Sequence, residues 1–146
     1  MLHTLQLVAT LCAALFAGAA LYINAVEHPA RMTLETSMAA RQWAPSYKRA
    51  TWMQAPLALL AFAASGGAWL MGAGAAWLIA ALLIGAVVPF TLVVIMPTNH
   101  ELLATGRDLG SSETRVLLEK WAKLHAVRTV LSLLAAVLCM CLLVGT

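Results

Sequence analysis

The sequence predicts an all-α protein, an integral membrane four-helix bundle, and three observations carry that expectation. Of 146 residues, 62% are hydrophobic and 10% charged, where an ordinary soluble domain is about half apolar and about a quarter charged. The apolar residues gather in four windows, near 4–26, 52–72, 75–96 and 126–144, each close to the roughly 20 residues that cross a hydrocarbon layer. All nine Lys and Arg lie in two places: Arg31, Arg41, Lys48 and Arg49 between the first two windows, and Arg107, Arg115, Lys120, Lys123 and Arg128 around the junction of the last two.

With an even number of spans, the loops 27–51 and 97–125 fall on one side and the two termini together on the other. The positive-inside rule makes the basic side cytoplasmic. The net charge of +3 then reflects membrane orientation, and nothing calls for nucleic acid, which wants a basic face beyond what topology explains. Four spans use almost the whole chain, so residues 1–146 read as one transmembrane domain. The Ala, Leu and Gly content points to a bacterial inner membrane.

The first window ends in small residues, LFAGAAL, as a signal peptide does, but it lacks a basic n-region. It is expected to persist as a span ending at Pro29. Residues 30–47 mix Met, Leu, Ala and Trp with charges, which suits a short interfacial helix. The second span begins near Pro56, and the link SGGAWLMGAGA joins it to the third, which carries Pro89 inside and Pro97 at its end. Gly106 and Gly110 break the second long loop. Ser111 or Ser112 can then cap a helix from Glu113 that runs to Val144, about 48 Å at 1.5 Å per residue.

Small residues fill the spans, as expected where helices pack by close backbone approach, and they leave faces for homo-oligomer contacts. Trp43, Trp69 and Trp77 read as interfacial belt residues. Cys12, Cys139 and Cys141 read as apolar fillers, because no CxxC is present and the CMC thiols lie about 200° apart on a helix. The second half echoes the first. With EH (27–28) laid on NH (99–100), WAPSYKRAT (43–51) matches WAKLHAVRT (121–129) at Trp, Ala and the last Thr, and Tyr47 falls on His125. A true repeat would relate two hairpins by an axis along the membrane normal.

Polar residues concentrate at one end. Asn24, Glu27, His28 and Arg31 form one helical stripe, and Trp121, His125, Arg128 and Ser132 form another. Asn99, His100 and Glu101 end the third span on the same side, and Arg49, Trp52 and Gln54 begin the second there. Ionisable groups at membrane depth turn to a partner or a cavity, so a polar pocket is expected at this end. A histidine paired with a carboxylate can take a proton from a weakly acidic carbon or a phenol, and Arg or Asn can hold the resulting oxyanion. Alternatively His28, His100 and His125 with Glu27 or Glu101 form a ligand set for Fe, Cu or Zn. Against a metal, no single helix carries an HxxxH or ExxH spacing; haem fits less well, since the histidines lie at the rim. No cofactor is therefore assigned.

The opening LFAGAALYINAVEHPAR, the W-x-x-x-Y element before span two, the MPTNHELL turn after span three and WAKLHAVRTVLSLLA entering span four make the whole chain resemble the anthrone oxygenase-like family of small membrane proteins. The resemblance implies an oxygenase that acts with O2 on a lipophilic aromatic or quinol-like substrate. Joined to the pocket, it makes His28 or His125 the base, with His100 and Glu27 beside them, and Arg128 or Asn99 the oxyanion partner. It leaves Trp52 and Trp121 to stack on a flat ring entering from the lipid, with Asn24, Arg49 and Tyr47 as further substrate contacts. Two other readings stay open. One is a ligand- or metal-binding or transport protein, against which the span centres offer only Ser65, Thr91 and Ser132; the other is an accessory subunit of a membrane complex.

Overall fold

A computed structural model describes residues 1–145. Four helices account for nearly all of them: α1 (Leu2–Arg31), α2 (Thr36–Leu70), α3 (Ala75–Leu102) and α4 (Ser112–Val144), each long and apolar enough to cross a membrane. Each helix packs along its neighbours in chain order, and α4 closes the ring against α1, which is the square arrangement of a four-helix bundle.

The interior is built from small side chains. Ala9, Ala13, Ala17 and Ala20 of α1 meet Ala58, Ala61, Ala64 and Ala68 of α2 and Ala135 and Ala136 of α4 in the buried layers, while Leu11, Leu15, Leu59, Leu60, Leu82 and Leu92 point outward. Apolar bulk outside and alanine inside inverts the soluble pattern and lets the helix backbones approach closely. Trp43 and Trp77 are buried at 1% and 0% exposure and fill the two ends of the core, so they are not belt residues; Trp69 remains exposed.

The prolines act differently from the sequence expectation. Pro29 does not end α1, and Pro97 does not end α3. In each helix a single wide turn precedes the proline, Ile23–Glu27 and Thr91–Ile95, closed by a five-residue bond from His28 N to Ile23 O and from Met96 N to Thr91 O. A proline has no N–H and its ring crowds the carbonyl four residues back; widening the turn relieves that crowding and lets the helix continue. One further turn of α1 thereby carries His28 and Arg31.

The expected interfacial helix over 30–47 is likewise not separate. Only the turn at residues 32–35 interrupts the chain, and residues 36–70 form one helix with Pro45 and Pro56 inside it. The link between α2 and α3 turns at Gly72 (φ 85°) and Gly74 (φ 101°), a region that non-glycine residues rarely adopt. Helix α4 starts as its sequence indicates, with Ser111 Oγ accepting from Thr114 N at 3.2 Å. Its first turns are tied to the α1–α2 turn by Arg115, which donates to Leu34 O at 3.1 Å.

The two hairpins share a plan. Besides the wide turn before a proline, α2 carries Trp43 stacked on Tyr47 (5.1 Å, 4°) and α4 carries Trp121 against His125 (4.9 Å), and the two tryptophans meet edge to face at 5.8 Å. The prolines set the register of α3 on α1: Pro29 corresponds to Pro97, which pairs His28 with Met96 and His100 with Met32. The pairing of EH with NH made from sequence is therefore replaced.

Candidate functional site

One end of the bundle holds three linked polar groups around the Trp43–Trp121 pair. The first is the α1 stripe. Arg31, 3% exposed, donates to Glu27 and to Gln42 Oε1, and Ser46 donates to the same Glu27 oxygen. Arg31 Nη1 also lies 3.3 Å from His28 Nδ1. A guanidinium has only donors, so His28 Nδ1 is the acceptor and its lone pair is occupied. The Glu27 carboxylate is likewise committed to Arg31 and Ser46. This group braces α1 against α2.

The second group differs. Asn24 Nδ2 donates to Ala122 O at 3.0 Å, which fixes its amide; its Oδ1 accepts from Thr129 Oγ1 at 2.7 Å and faces His125 Nδ1 at 2.6 Å. Because Asn24 Oδ1 can only accept, His125 Nδ1 carries the proton and Nε2 of the neutral ring keeps a lone pair. That nitrogen has no partner among the described residues. His28 and His125 both pack against Trp121, with ring centroids 5.5 and 4.9 Å away.

The third group is Arg128 and Gln54. Arg128 Nη2 donates to Gln54 Oε1 at 2.7 Å, and the guanidinium sits over the Phe16 ring at 5.4 Å. Arg128 Nε and Gln54 Nε2 are buried without a partner.

Neighbouring cavities with shared lining residues lie between these groups and the outer surface. A void of about 10 Å³ is lined by His125, Arg128, Gln54, Tyr47, Thr51 and Trp121 among others. Tyr47, Thr51 and Arg128 also line an apolar cleft of about 140 Å³ between α2 and α3, with Phe16, Ala58, Val88 and Met96. Ala58 and Val88 continue into a groove of about 440 Å³ on the outer surface, past Phe62, Gly85 and Pro89. At Gly85 an added Cβ would stand 2.7 Å from the Phe62 ring, so glycine lets that ring pack directly on the α3 backbone beside the groove. A separate open groove of about 620 Å³ between α1 and α2 has Glu27, Ser46, Gln42 and Arg49 at its polar end and Tyr22 and Met53 along it.

The structure thus brings together Asn24, Glu27, His28, Tyr47, Trp121, His125 and Arg128. It does not bring in His100 and Glu101, which are exposed near the end of α3, nor Trp52, 84% exposed on the outer face of α2. A ring stacked on Trp52 would lie outside the pocket, because Gln54, two residues on, takes the inward position. Arg49 is exposed at the α1–α2 groove. Asn99 is fully buried and neither its amide nitrogen nor its oxygen has a partner; it lies on the α3 stripe of Ile95 and Leu102, which pack with Leu118 and Trp121. With His100 and Glu101 apart, the conditional metal set does not assemble: among the described residues no three His, Cys, Asp or Glu side chains gather in a way that could hold an ion.

Gln54, Thr129 and Ser46 were not singled out as site residues from sequence. Thr129 had a signal, four residues after His125 and therefore on its stripe; Gln54 is a lone amide in an apolar window, which points inward for want of a partner in lipid. Ser46 had none.

Comparison with known proteins adds a family. The model described as anthrone oxygenase matches residues 43–138, a stretch that includes Tyr47, Gln54, Asn99, Trp121, His125 and Arg128 but not the α1 stripe. Among curated proteins, the anthrone oxygenase tpcL of Aspergillus fumigatus is 41% identical over 70 residues, 46% of this chain and 44% of that protein. The anthrone oxygenase nsrD of Aspergillus novofumigatus is 45% identical over 56 residues, 36% of this chain and 35% of that protein. The matched segments thus span less than half of these relatives. No solved structure matches the chain significantly.

Proposed function

This chain belongs to the anthrone oxygenase family, and from that premise we propose that it oxidises a planar, lipophilic, weakly acidic aromatic ketone or its phenolic tautomer with dioxygen, in the cleft between α2 and α3. The observation that carries the reading is the shared wall. Tyr47, Thr51 and Arg128 bound both the polar void of His125 and the apolar cleft, so a base, a cation and a ring-sized apolar slot adjoin. The cleft in turn shares the wall residues Ala58 and Val88 with the outer groove, and in this reading a substrate dissolved in lipid enters on that side. The basic end of the bundle faces the cytoplasm in this reading, on the distribution of Lys and Arg. The relatives are fungal, so the bacterial inner membrane rests on composition alone.

His125 is the base. Its Nδ1 proton is held by Asn24, which leaves Nε2 free to accept, whereas Arg31 occupies the lone pair of His28. Taking the proton of a carbon acid or of its phenolic tautomer gives the same anion. Arg128 faces the developing negative charge from a dry wall, where a fixed donor stabilises an oxyanion more than it does in water. Dioxygen, itself apolar, reaches the carbanion carbon from the lipid side. A C–O bond forms as carbon gives up two electrons, and the peroxide is protonated. Loss of the remaining C–H proton with cleavage of the O–O bond releases water and leaves a carbonyl. For an anthrone, the substrate in the relatives' names, the balance is anthrone plus O2 to anthraquinone plus water.

The test is oxygen uptake by the purified full chain in detergent with anthrone as substrate. One O2 consumed per anthraquinone formed is expected, and Arg128→Met should lower kcat/KM by about 10² or more, the scale of a lost oxyanion donor. Oxidation no faster than in protein-free micelles, or full activity in Arg128→Met, would overturn the reading.

A further inference from the structure

Two of the buried donors at this site have nothing to bind. Gln54 is 1% exposed. Its Oε1 is taken by Arg128 Nη2, which fixes the amide and leaves Nε2 as a donor; that nitrogen and Arg128 Nε are both buried and unpartnered. Buried donors are normally satisfied, and each orphan marks a place where an acceptor belongs. Both residues line the void of about 10 Å³ next to His125. That is room for one oxygen-sized atom and far too little for a ring.

We propose that this void is an acceptor-oxygen subsite: Gln54 Nε2 and Arg128 Nε receive the single oxygen of an aromatic ketone or phenolate, whose rings stay in the adjoining cleft. The ring position rests on the function proposed above. The subsite deepens that function by orienting the substrate oxygen-first. His125, on the same void, then meets the substrate's oxygen end, so the proton it removes is that of the phenolic tautomer. The carbon that reacts with dioxygen lies at the opposite edge of the ring system, in the apolar cleft on the lipid side. Gln54 thereby selects for ligands with an exposed ring oxygen. A polycyclic hydrocarbon without one would leave both donors orphaned, the situation in which a hydrogen-bonding site discriminates most strongly.

Binding of anthraquinone and of anthracene to the full chain in detergent micelles separates these terms, with protein-free micelles as the blank. The parent is expected to bind anthraquinone at least about tenfold more tightly than anthracene. Gln54→Leu and Gln54→Glu, which remove the amide donor in two different ways, should bring the two ligands to within about threefold by weakening anthraquinone alone, and Arg128→Lys, which keeps the charge and loses Nε–H, should do the same. Equal binding of the two ligands by the parent, no binding of either, or an undiminished preference in any variant whose melting curve is native would overturn the subsite. Neither ligand is turned over, so the two proposals fail separately. A preference for anthraquinone without anthrone oxidation keeps the subsite and removes the oxygenase, and oxidation without the preference does the reverse.

Discussion

The frames Trp43–Tyr47–Thr51 on α2 and Trp121–His125–Thr129 on α4 occupy corresponding places in the two hairpins and touch through their tryptophans, yet their surroundings differ. Opposite His125, α1 presents Asn24, and Thr129 turns inward to the same amide oxygen. Opposite Tyr47, α3 presents Met96, whose sulfur takes the hydroxyl at 3.9 Å, and Thr51 bonds only back to Tyr47 O. One hairpin thus supplies an oriented imidazole, the other an apolar wall with a hydroxyl at its edge. A symmetric plan does not need two equal sites: an amide facing one frame, Asn24, and a thioether facing the other, Met96, are enough to give one half the polarity and the other the ring slot.

The largest expected effect is the loss of that asymmetry's active member. His125→Phe keeps the stacking on Trp121 and removes the proposed base, and should lower kcat for anthrone by about 10² to 10⁴, the range for general-base catalysis. Tyr47→Phe at the corresponding position should cost no more than about fivefold, since its hydroxyl makes a weak bond to sulfur, a poor acceptor. Equal losses in the two variants, read as initial oxygen uptake, would mean that the halves contribute alike and that the comparison is wrong.

Asn24 comes next. Asn24→Leu leaves the His125 Nδ1 proton unpaired in the core and removes the donor to Ala122 O, while the Thr129 hydroxyl falls back on Ala20 O at 3.2 Å. A stability loss of about 1–3 kcal/mol follows from orphaned buried groups, measurable as a lower denaturation midpoint in mild detergent. The rate should fall with it, because nothing then fixes the tautomer of His125. Asn24→Asp, which still accepts from both donors, should retain most of the activity; a rate as low as that of Asn24→Leu would show that orientation of the imidazole is not what Asn24 provides.

How far the sequence revealed this site follows from what each residue's signal depends on. The four helices were legible because span length and hydropathy are local properties. So were the inward stripes of Asn24, His28, Trp121, His125 and Arg128, since helical spacing alone puts such residues on one face. The failures share a cause in the prolines. Reading Pro29 and Pro97 as helix ends missed the wide turns that absorb them, and the register of α3 shifted with that error: His100 and Glu101 were expected inside, whereas Thr98 and Asn99 hold the buried positions. Trp52 reads from sequence as a ring at the mouth of span two, but on the continuous α2 the inward place falls to Gln54. The cavities, which depend on how far apart two helices stand, had no signal in the sequence beyond the small residues Ala58 and Gly85.

Two smaller effects sharpen the division of labour. Gly85→Leu places a branched side chain where even a Cβ would meet Phe62, in the groove that adjoins the cleft. If the substrate enters there, KM should rise by about tenfold with kcat nearly unchanged, the pattern of a change in binding that spares the transition state; a fall in kcat with constant KM would place the entrance elsewhere.

The smallest effect is expected at His100. By sequence it is as good a rim histidine as His125, with an asparagine before it and a glutamate after it. Its side chain is exposed, however, and the wide turn before Pro97 aligns Met96, not His100, with His28 of the other hairpin. An exposed imidazole remote from both the void and the cleft has no route to the substrate proton, and surface substitutions away from special features usually change stability by less than about 0.5 kcal/mol. His100→Ala should therefore keep anthrone turnover within about twofold, against the 10² or more lost at His125. A comparable loss at His100 would require α3 to turn by about 100°, one residue's rotation in a helix, and would undo the correspondence between Pro29 and Pro97 from which the two-hairpin comparison starts.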